Sequence, residues 1–133
     1  AMSKPHYLNV DLVVDSLEEL TPLVEGFGEN VFVLFNGRVG EHYRVIFEIS
    51  GGDSTANDDI ALFCSLIDAL QGEALRCWQN AFSREFDLGF ESGLEGEQVR
   101  IALQPDVISR IAACGASIAV TVYPINPSDM LLN

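Results

Sequence analysis

Regular alternation of apolar and polar residues predicts three half-buried strands. In residues 84–91 (REFDLGFE), large apolar side chains occupy alternate positions, and Glu85 and Asp87 lie between them. Because successive side chains of a strand point to opposite faces of a sheet, this segment is expected to have one apolar and one acidic face. Residues 8–14 and 42–50 alternate in the same way and are predicted to be half-buried strands as well.

Three other segments are predicted to be strands from their apolar content. Residues 31–35 (VFVLF) are continuously apolar, which is typical of a central strand covered on both faces. Asn36-Gly37 and Gly40 supply turn residues, so this strand and residues 42–50 are expected to form a hairpin. Alternating apolar positions in residues 99–103 and 117–123 predict the remaining strands.

Helix-start signals precede two longer helical segments. The pattern Ser-Leu-Glu-Glu is a capping box and opens a helix that we predict over residues 16–27. Because proline does not fit a helix interior, Pro22 predicts that this helix is kinked or begins afresh at Thr21. Thr55 and Asp58 repeat the capping pattern ahead of a second helix, which is expected to end at a glycine, Gly72.

Two shorter helices complete the predicted elements. Residues 73–82 carry Leu75, Trp78 and Phe82 at helical spacing, and these side chains are expected to be buried. Pro105 suits the first turn of a fourth helix. The resulting order, β-α-β-β-α-α-β-β-α-β, predicts an α+β fold in which a single mixed or antiparallel sheet of five to six strands packs against three to four helices.

Length and composition predict one domain. The chain has 133 residues, of which 48% are hydrophobic and 20% charged, as expected of one globular unit over residues 1–133. Ala1 ahead of Met2 indicates a tag remnant, so residues 1–6 are interpreted as remnant and N-terminal lead, and residues 124–133 as a C-terminal tail. Without a secretory signal pattern or an apolar run of ~20 residues, we expect a cytoplasmic protein with no membrane association.

Charge is the most unusual property of the composition. The chain has 20 acidic and seven basic residues, for a net charge of −13. Such a field repels nucleic acids and anionic membranes, so direct binding of either is not expected. It would speed the encounter with a basic protein, although high solubility is an alternative explanation of the same charge.

Residues that could hold a metal or act as a nucleophile lack the required spacing. The three cysteines are scattered, with no C-x-x-C or Cys/His pattern. The loop from Asp53 to Asp59 resembles a calcium loop, but its sixth position is Asp58 where glycine is required, and its twelfth is Cys64 where glutamate is required. No serine shows a nucleophile-elbow pattern. We therefore predict a protein that is not an enzyme and has no metal or cofactor.

Two stretches carry a resemblance to a known group of proteins. They are residues 99–123 (VRIALQPDVISRIAACGASIAVTVY) and residues 78–93 (WQNAFSREFDLGFESG). The chain resembles the small acidic bacterial immunity proteins of contact-dependent and related polymorphic toxin systems. That resemblance implies a non-enzymatic inhibitor that binds and neutralises one cognate toxin domain, often a basic nuclease, by covering its active face.

Acidic residues are the candidate contacts for such a basic toxin domain. The predicted partner-binding surface is the densest acidic run, which consists of Glu85, Asp87, Glu91, Glu95 and Glu97. An alternative partner-binding surface consists of Asp11, Asp15, Glu18 and Glu19. Aromatic residues often anchor such interfaces, and the candidates are Tyr7, Tyr43, Tyr123 and Trp78, the last of which is more typical of a core.

Two other functions remain open from the sequence. A small enzyme or metal-dependent sensor could use the carboxylates of residues 53–59 or the pair Glu85 and Asp87. A homodimeric module could instead use residues 31–35 or an edge strand as its contact.

Overall fold

One mixed β-sheet organises the molecule, with its helices layered on one face. The computed structural model describes residues 6–49, 54–93 and 98–124. Its elements are β1 (His6–Ser16), α1 (Thr21–Phe27), a 3-10 turn (Gly28–Asn30), β2 (Val31–Val39), β3 (His42–Ile49), α2 (Ala56–Asp68), α3 (Gly72–Asn80), β4 (Ser83–Glu91), α4 (Pro105–Ala113) and β5 (Ser117–Tyr123). The predicted α+β class is confirmed, with five strands and four helices in the described ranges. Residues 1–5 of the predicted N-terminal lead and residues 125–133 of the predicted C-terminal tail lie outside these ranges.

The strands are ordered β2-β3-β1-β4-β5. β1 lies at the centre and pairs antiparallel with β3 and β4. β2 and β3 form the predicted hairpin, with its turn at Gly40, whose φ is +62°. Asn36 and Gly37, also predicted as turn residues, instead lie within β2 and pair with β3. β5 lies parallel to β4, and α4 makes the crossover that a parallel pair needs.

The core lies between the sheet and the four helices. Alternate residues of β1 are buried, with an exposed fraction of at most 1% for Val10, Leu12 and Val14. Aromatic pairs join the layers, since the ring centroids of Phe27 and Phe47 are 4.9 Å apart in an edge-to-face arrangement. The opposite sheet face, made by the other set of alternate residues, is not covered by any helix of the described ranges and is called the open face below.

The prediction that residues 31–35 form a central strand was wrong, because β2 lies at the edge of the sheet. Phe32 is 56% and Leu34 53% exposed. The described helices cover only one face of the sheet, so a central strand here needs apolar residues on one face only. The alternating strand β1 meets this requirement and lies at the centre. In β2, an irregularity in pairing between Val33 and Phe35 places the two phenylalanines of the run on the open face.

The first helix begins later than the capping box predicts. β1 continues to Ser16, whose Oγ accepts a hydrogen bond from the amide of Glu18 at 3.1 Å and so forms a local turn. The helix starts at Thr21 with Pro22 in its first turn, which was the alternative left open. Pairing of Ser16 with Tyr43 of β3 therefore keeps the capping residue in the sheet and out of the helix.

Two further expectations were wrong and have local causes. α3 ends at Asn80, so Phe82 precedes β4 and is 59% exposed instead of buried. Residues 99–103 form no strand, because their backbone is held by a side chain: Asn57 donates to the Ala102 carbonyl at 2.9 Å and accepts from the Gln104 amide at 2.9 Å.

The remaining helix signals gave a mixed result. The hydroxyl of Thr55 accepts from the Asp58 amide at 3.1 Å, which confirms the predicted cap of α2. Pro105 lies in the first turn of α4, as predicted. Gly72 does not end α2, which stops at Asp68; it opens α3 with a φ of +57°, a conformation that suits glycine.

Candidate partner-binding face

A row of three carboxylates crosses the open face. The strand register places Asp11 of β1 opposite Glu48 of β3 on one side and opposite Asp87 of β4 on the other. Directly opposite residues in antiparallel strands have Cβ atoms about 4.5–5.5 Å apart. Three acidic side chains from three different strands are therefore neighbours at the centre of the sheet, and we call them the carboxylate row.

β4 contributes the first predicted surface to this face. Phe86 and Leu88 are buried, as their alternation predicts, so the acidic residues of the strand point the other way. Glu85, Asp87 and Glu91 all lie on the open face and are half-buried. The other two predicted contacts, Glu95 and Glu97, lie outside the described residues.

The residues of the alternative partner-binding surface do not lie together in the structure. Asp11 joins Asp87 in the carboxylate row, so one member of each predicted surface lies in the same site. Asp15 is only 7% exposed, because Arg44 donates to it at 2.7 Å and His42 contacts it at 3.0 Å. Glu18 and Glu19 lie in the exposed turn after β1, outside the row.

Neutral donors hold the row in place. The Asn9 amide donates to Glu48 Oε2 at 2.7 Å and to Asp11 Oδ1 at 3.4 Å. The hydroxyl of Thr121 on β5 donates to Asp87 Oδ1 at 2.8 Å. Among the described residues, no cation takes part in this arrangement, and the carboxylates are oriented to accept donors from a partner.

Burial and neighbouring negative charges raise the pKa of Asp11. The pKa of Asp11 is raised from 3.8 to about 6, chiefly by burial and additionally by the charges of Glu48 and Asp87 and a hydrogen bond with Glu48. At neutral pH Asp11 is therefore mostly ionised, and its negative charge is held beside Glu48 and Asp87. A positively charged group placed over the row would relieve the repulsion between these side chains.

Aromatic side chains border the row. Phe32 of β2 lies opposite Glu48, and Phe35 lies opposite Ile46, both on the open face. They are 56% and 40% exposed. The sequence predicted a central strand for residues 31–35 and offered them only as an alternative dimer contact, so these two residues were not assigned to this surface. Exposed aromatic groups beside fixed charges are typical of protein-binding surfaces.

The aromatic anchors proposed from the sequence lie in different places. Trp78 is 4% exposed and belongs to the core. Tyr7 lies on the helix side, where its hydroxyl donates to Asp59 at 3.2 Å. Tyr43 is also on the helix side, under the guanidinium of Arg38. Tyr123 lies opposite Glu91 on the open face and is 46% exposed, so it is the one anchor of the four that borders the site.

No metal site is formed by the predicted oxygen ligands of the described chain. Within residues 6–49, 54–93 and 98–124, no group of three or more His, Cys, Asp or Glu side chains is arranged to hold an ion. Asp59 instead bonds the hydroxyls of Tyr7 and Ser54, the latter at 2.6 Å. Asp53 lies outside the described residues.

The cysteines lie on the helix side of the sheet. Cys64 and Cys77 are buried, and burial raises the pKa of Cys77. A hydrogen bond between Cys64 and Cys114 raises the pKa of the first thiol and lowers that of the second to about 7. All three thiols are free, and none contributes to the open face.

An apolar groove lies at the other end of the sheet, on the helix side of β5. It encloses about 530 Å³, and its apolar lining includes Phe90, Val99, Ile101, Val120 and Val122. It is therefore separated from the carboxylate row by the sheet itself.

Because comparison with known proteins finds no match, a role for this protein has to be argued from the geometry of the open face. No protein-family model, curated protein or solved structure matches the chain. Among the described helices, none has the length and apolar character that crossing a membrane requires.

Proposed function

We propose that this protein is an immunity or inhibitor protein that binds a cognate basic toxin domain through its open face. The observation that carries the proposal is the carboxylate row, in which Asp11, Glu48 and Asp87 are held side by side by neutral donors on an uncovered sheet face. Such a row is suited to Arg or Lys side chains of a partner, which would be bound by several carboxylate oxygens at once.

Attraction of the partner would be electrostatic at long range. The net charge of −13 gives a negative field that extends beyond contact distance, since the screening length is about 8 Å at physiological salt. Fields of this kind raise association rates by factors of roughly 10 to 10³. The toxin surfaces that bind nucleic-acid phosphates are basic, so the same field would direct the inhibitor to the active face.

Stability of the complex would depend on desolvated contacts at short range. Phe32 and Phe35 lie beside the row and supply apolar area on the β2 side, and Tyr123 supplies it on the β5 side. A partner seated on the row would bury these rings and exclude water from the charge pairs. Inhibition then follows from occlusion and requires no reaction by the inhibitor.

The proposed site of action is the cytoplasm of the cell that makes the toxin. The three free thiols suit a reducing compartment. An immunity protein must meet its toxin in the compartment where the toxin would otherwise act, and for a nuclease that compartment holds the nucleic acid.

Growth protection during co-expression tests the proposal. The probe is the C-terminal domain of a secreted protein encoded beside this gene, selected by its basic composition and its toxicity when expressed alone. The wild-type protein is expected to restore growth, whereas Glu85→Gln/Asp87→Asn, which preserves side-chain shape, is expected to weaken protection. Glu25→Gln/Asp106→Asn removes two exposed carboxylates from the helical layer and serves as the matched control.

Two results would contradict the function. One is the absence of any toxic basic domain in the neighbouring reading frames. The other is equal protection by the open-face double variant and the control, at matched expression, because the carboxylates would then make no contribution to binding.

A further inference from the structure

β5 is an edge strand without the usual protection against pairing. It bonds only to β4 within the described residues, and its register continues without a shift from Ser117 to Tyr123. Natural edges are commonly interrupted by charges, proline or bulges. The opposite edge, β2, has both a pairing irregularity and a charged residue, Arg38. By contrast, residues 111–128 of the sequence include no charged residue.

An apolar strip accompanies this unprotected edge. Ile118, Val120 and Val122 share the helix-side face of β5 and are 42%, 61% and 61% exposed. They are exposed because α4 packs against α2, where Arg110 bonds Asp68 at 3.1 Å, and leaves β5 uncovered. The strip continues into the groove of about 530 Å³ described above.

The charge distribution favours a second copy of this chain as the occupant. Two molecules of net charge −13 repel one another, most strongly where their open faces approach. The β5 edge is a place where two copies can meet without bringing carboxylates together. A basic partner, in contrast, gains nothing electrostatically from this uncharged edge.

The residue pattern of β5 is also self-complementary. Antiparallel pairing about Val120 places Val120 opposite its counterpart and Ile118 opposite Val122 of the second copy, all on the helix side. Each copy would bury the same three β-branched side chains against those of the other, as an isologous interface requires. The unpaired amides and carbonyls of both edges would be satisfied in the same step.

We propose that the protein forms a twofold dimer in which β5 pairs antiparallel with β5 of a second copy. The two five-stranded sheets become one continuous sheet whose axis passes through the position of Val120. Since that axis is perpendicular to the sheet, both open faces lie on the same side. The dimer therefore presents two carboxylate rows side by side, although its formation does not depend on the function proposed for them.

The interface is expected to be small and the association concentration-dependent. Burial of a Val or Ile side chain removes roughly 60–120 Å² of apolar surface. Three such residues and a seven-residue strand per copy fall below the ~800 Å² per partner of a standard interface. Interfaces of this size are typical of weak, transient association, so the dimer is expected to dissociate on dilution.

Sedimentation velocity of the full chain from about 1 to about 100 µM tests the proposal. The mean mass is expected to rise from 14.5 kDa toward twice that value. Val120→Lys, at an exposed position, is expected to remain a monomer throughout. Leu34→Lys, at a 53% exposed position on the other edge, is the matched control and should dimerise as the wild type does. Thermal melts of both variants establish that they fold.

Other outcomes would overturn the proposal. A wild-type monomer at every concentration excludes the dimer. A dimer that persists in Val120→Lys but is lost in Leu34→Lys moves the interface to β2. A monomer whose binding to the basic toxin domain is lost in Val120→Lys assigns the edge to that partner instead. Because sedimentation needs no toxin, failure of the dimer can be distinguished from failure of the proposed function.

Discussion

At the scale of single residues, Asp11 connects the stability of the protein with its proposed role. Its carboxylate lies between Glu48 and Asp87, and its pKa is raised from 3.8 to about 6. The folded state therefore holds the Asp11 proton more tightly than the unfolded chain does. The stabilisation from this proton is fully present below about pH 4 and is lost as the pH rises through 6.

Asp11→Asn is expected to stabilise the protein at pH 7.5 and to have a smaller effect near pH 4.5. The amide cannot ionise, and it can still bond to Glu48, so the repulsion is removed while the geometry is kept. Asp11 is only partly buried, so solvent screening limits the expected gain at neutral pH to about 1 kcal/mol. Thermal melts across this pH range measure the difference between variant and wild type.

Glu25→Gln provides the control for this comparison. Glu25 is exposed on α1, away from the carboxylate row. A stability change that is the same at both pH values, or a loss of stability at pH 7.5 in Asp11→Asn, would show that the row is not under electrostatic strain.

The sequence predicted several residues of the face but not their assembly. Alternation correctly placed Glu85 and Asp87 on the polar side of β4, and it placed Glu48 on the polar side of β3. The carboxylate row depends on which strands are neighbours and in what register. Strand order cannot be read from one sequence, so Glu48 was not recognised as a neighbour of Asp11.

At the scale of elements, Arg84 joins the ends of two helices to the sheet. Its guanidinium donates to the Trp78 carbonyl at 2.7 Å, at the end of α3, and to the Gly115 carbonyl at 3.1 Å, just after α4. It also lies over the Trp78 ring at 5.5 Å. The last carbonyls of a helix lack partners from a following turn. The Trp78 carbonyl also accepts from the Ala81 amide at 3.3 Å, and Arg84 supplies a second, charged donor there.

Arg84→Met is expected to destabilise the fold by about 2 kcal/mol, and Arg84→Lys by about half as much, because an ammonium cannot reach both helix ends. Denaturant unfolding measures both values. Arg38→Met is the matched control, since Arg38 also lies over an aromatic ring, that of Tyr43, but is exposed. Equal losses for Arg84→Met and Arg38→Met would contradict the assigned role.

Local signals predicted elements well where no tertiary contact competed with them. The cap of α2 at Thr55 and the hairpin of β2 and β3 were correct, because both depend on residues close in sequence. The start of α1 was wrong because sheet pairing extends β1 through Ser16. Residues 99–103 alternate like a strand, yet the Asn57 side chain on α2 takes up their backbone groups instead.

At the scale of the whole molecule, the fold separates two kinds of surface. The helices cover one face of the sheet, so the carboxylates of three central strands collect on the other. The uncharged β5 lies at one edge. In the proposed account, charge directs a basic partner to the open face, whereas the apolar edge accepts a second copy.

The most direct test of the account is the rate of association with the basic toxin domain that the protein is proposed to neutralise. In stopped-flow mixing, the wild-type rate constant is expected to fall at least ~10-fold when salt is raised from about 0.02 to about 0.5 M. At the lower salt, Glu85→Gln/Asp87→Asn should associate several-fold more slowly than the wild type, while Glu25→Gln/Asp106→Asn should differ little. A rate independent of salt, or equal slowing by the two double variants, would contradict binding through the open face.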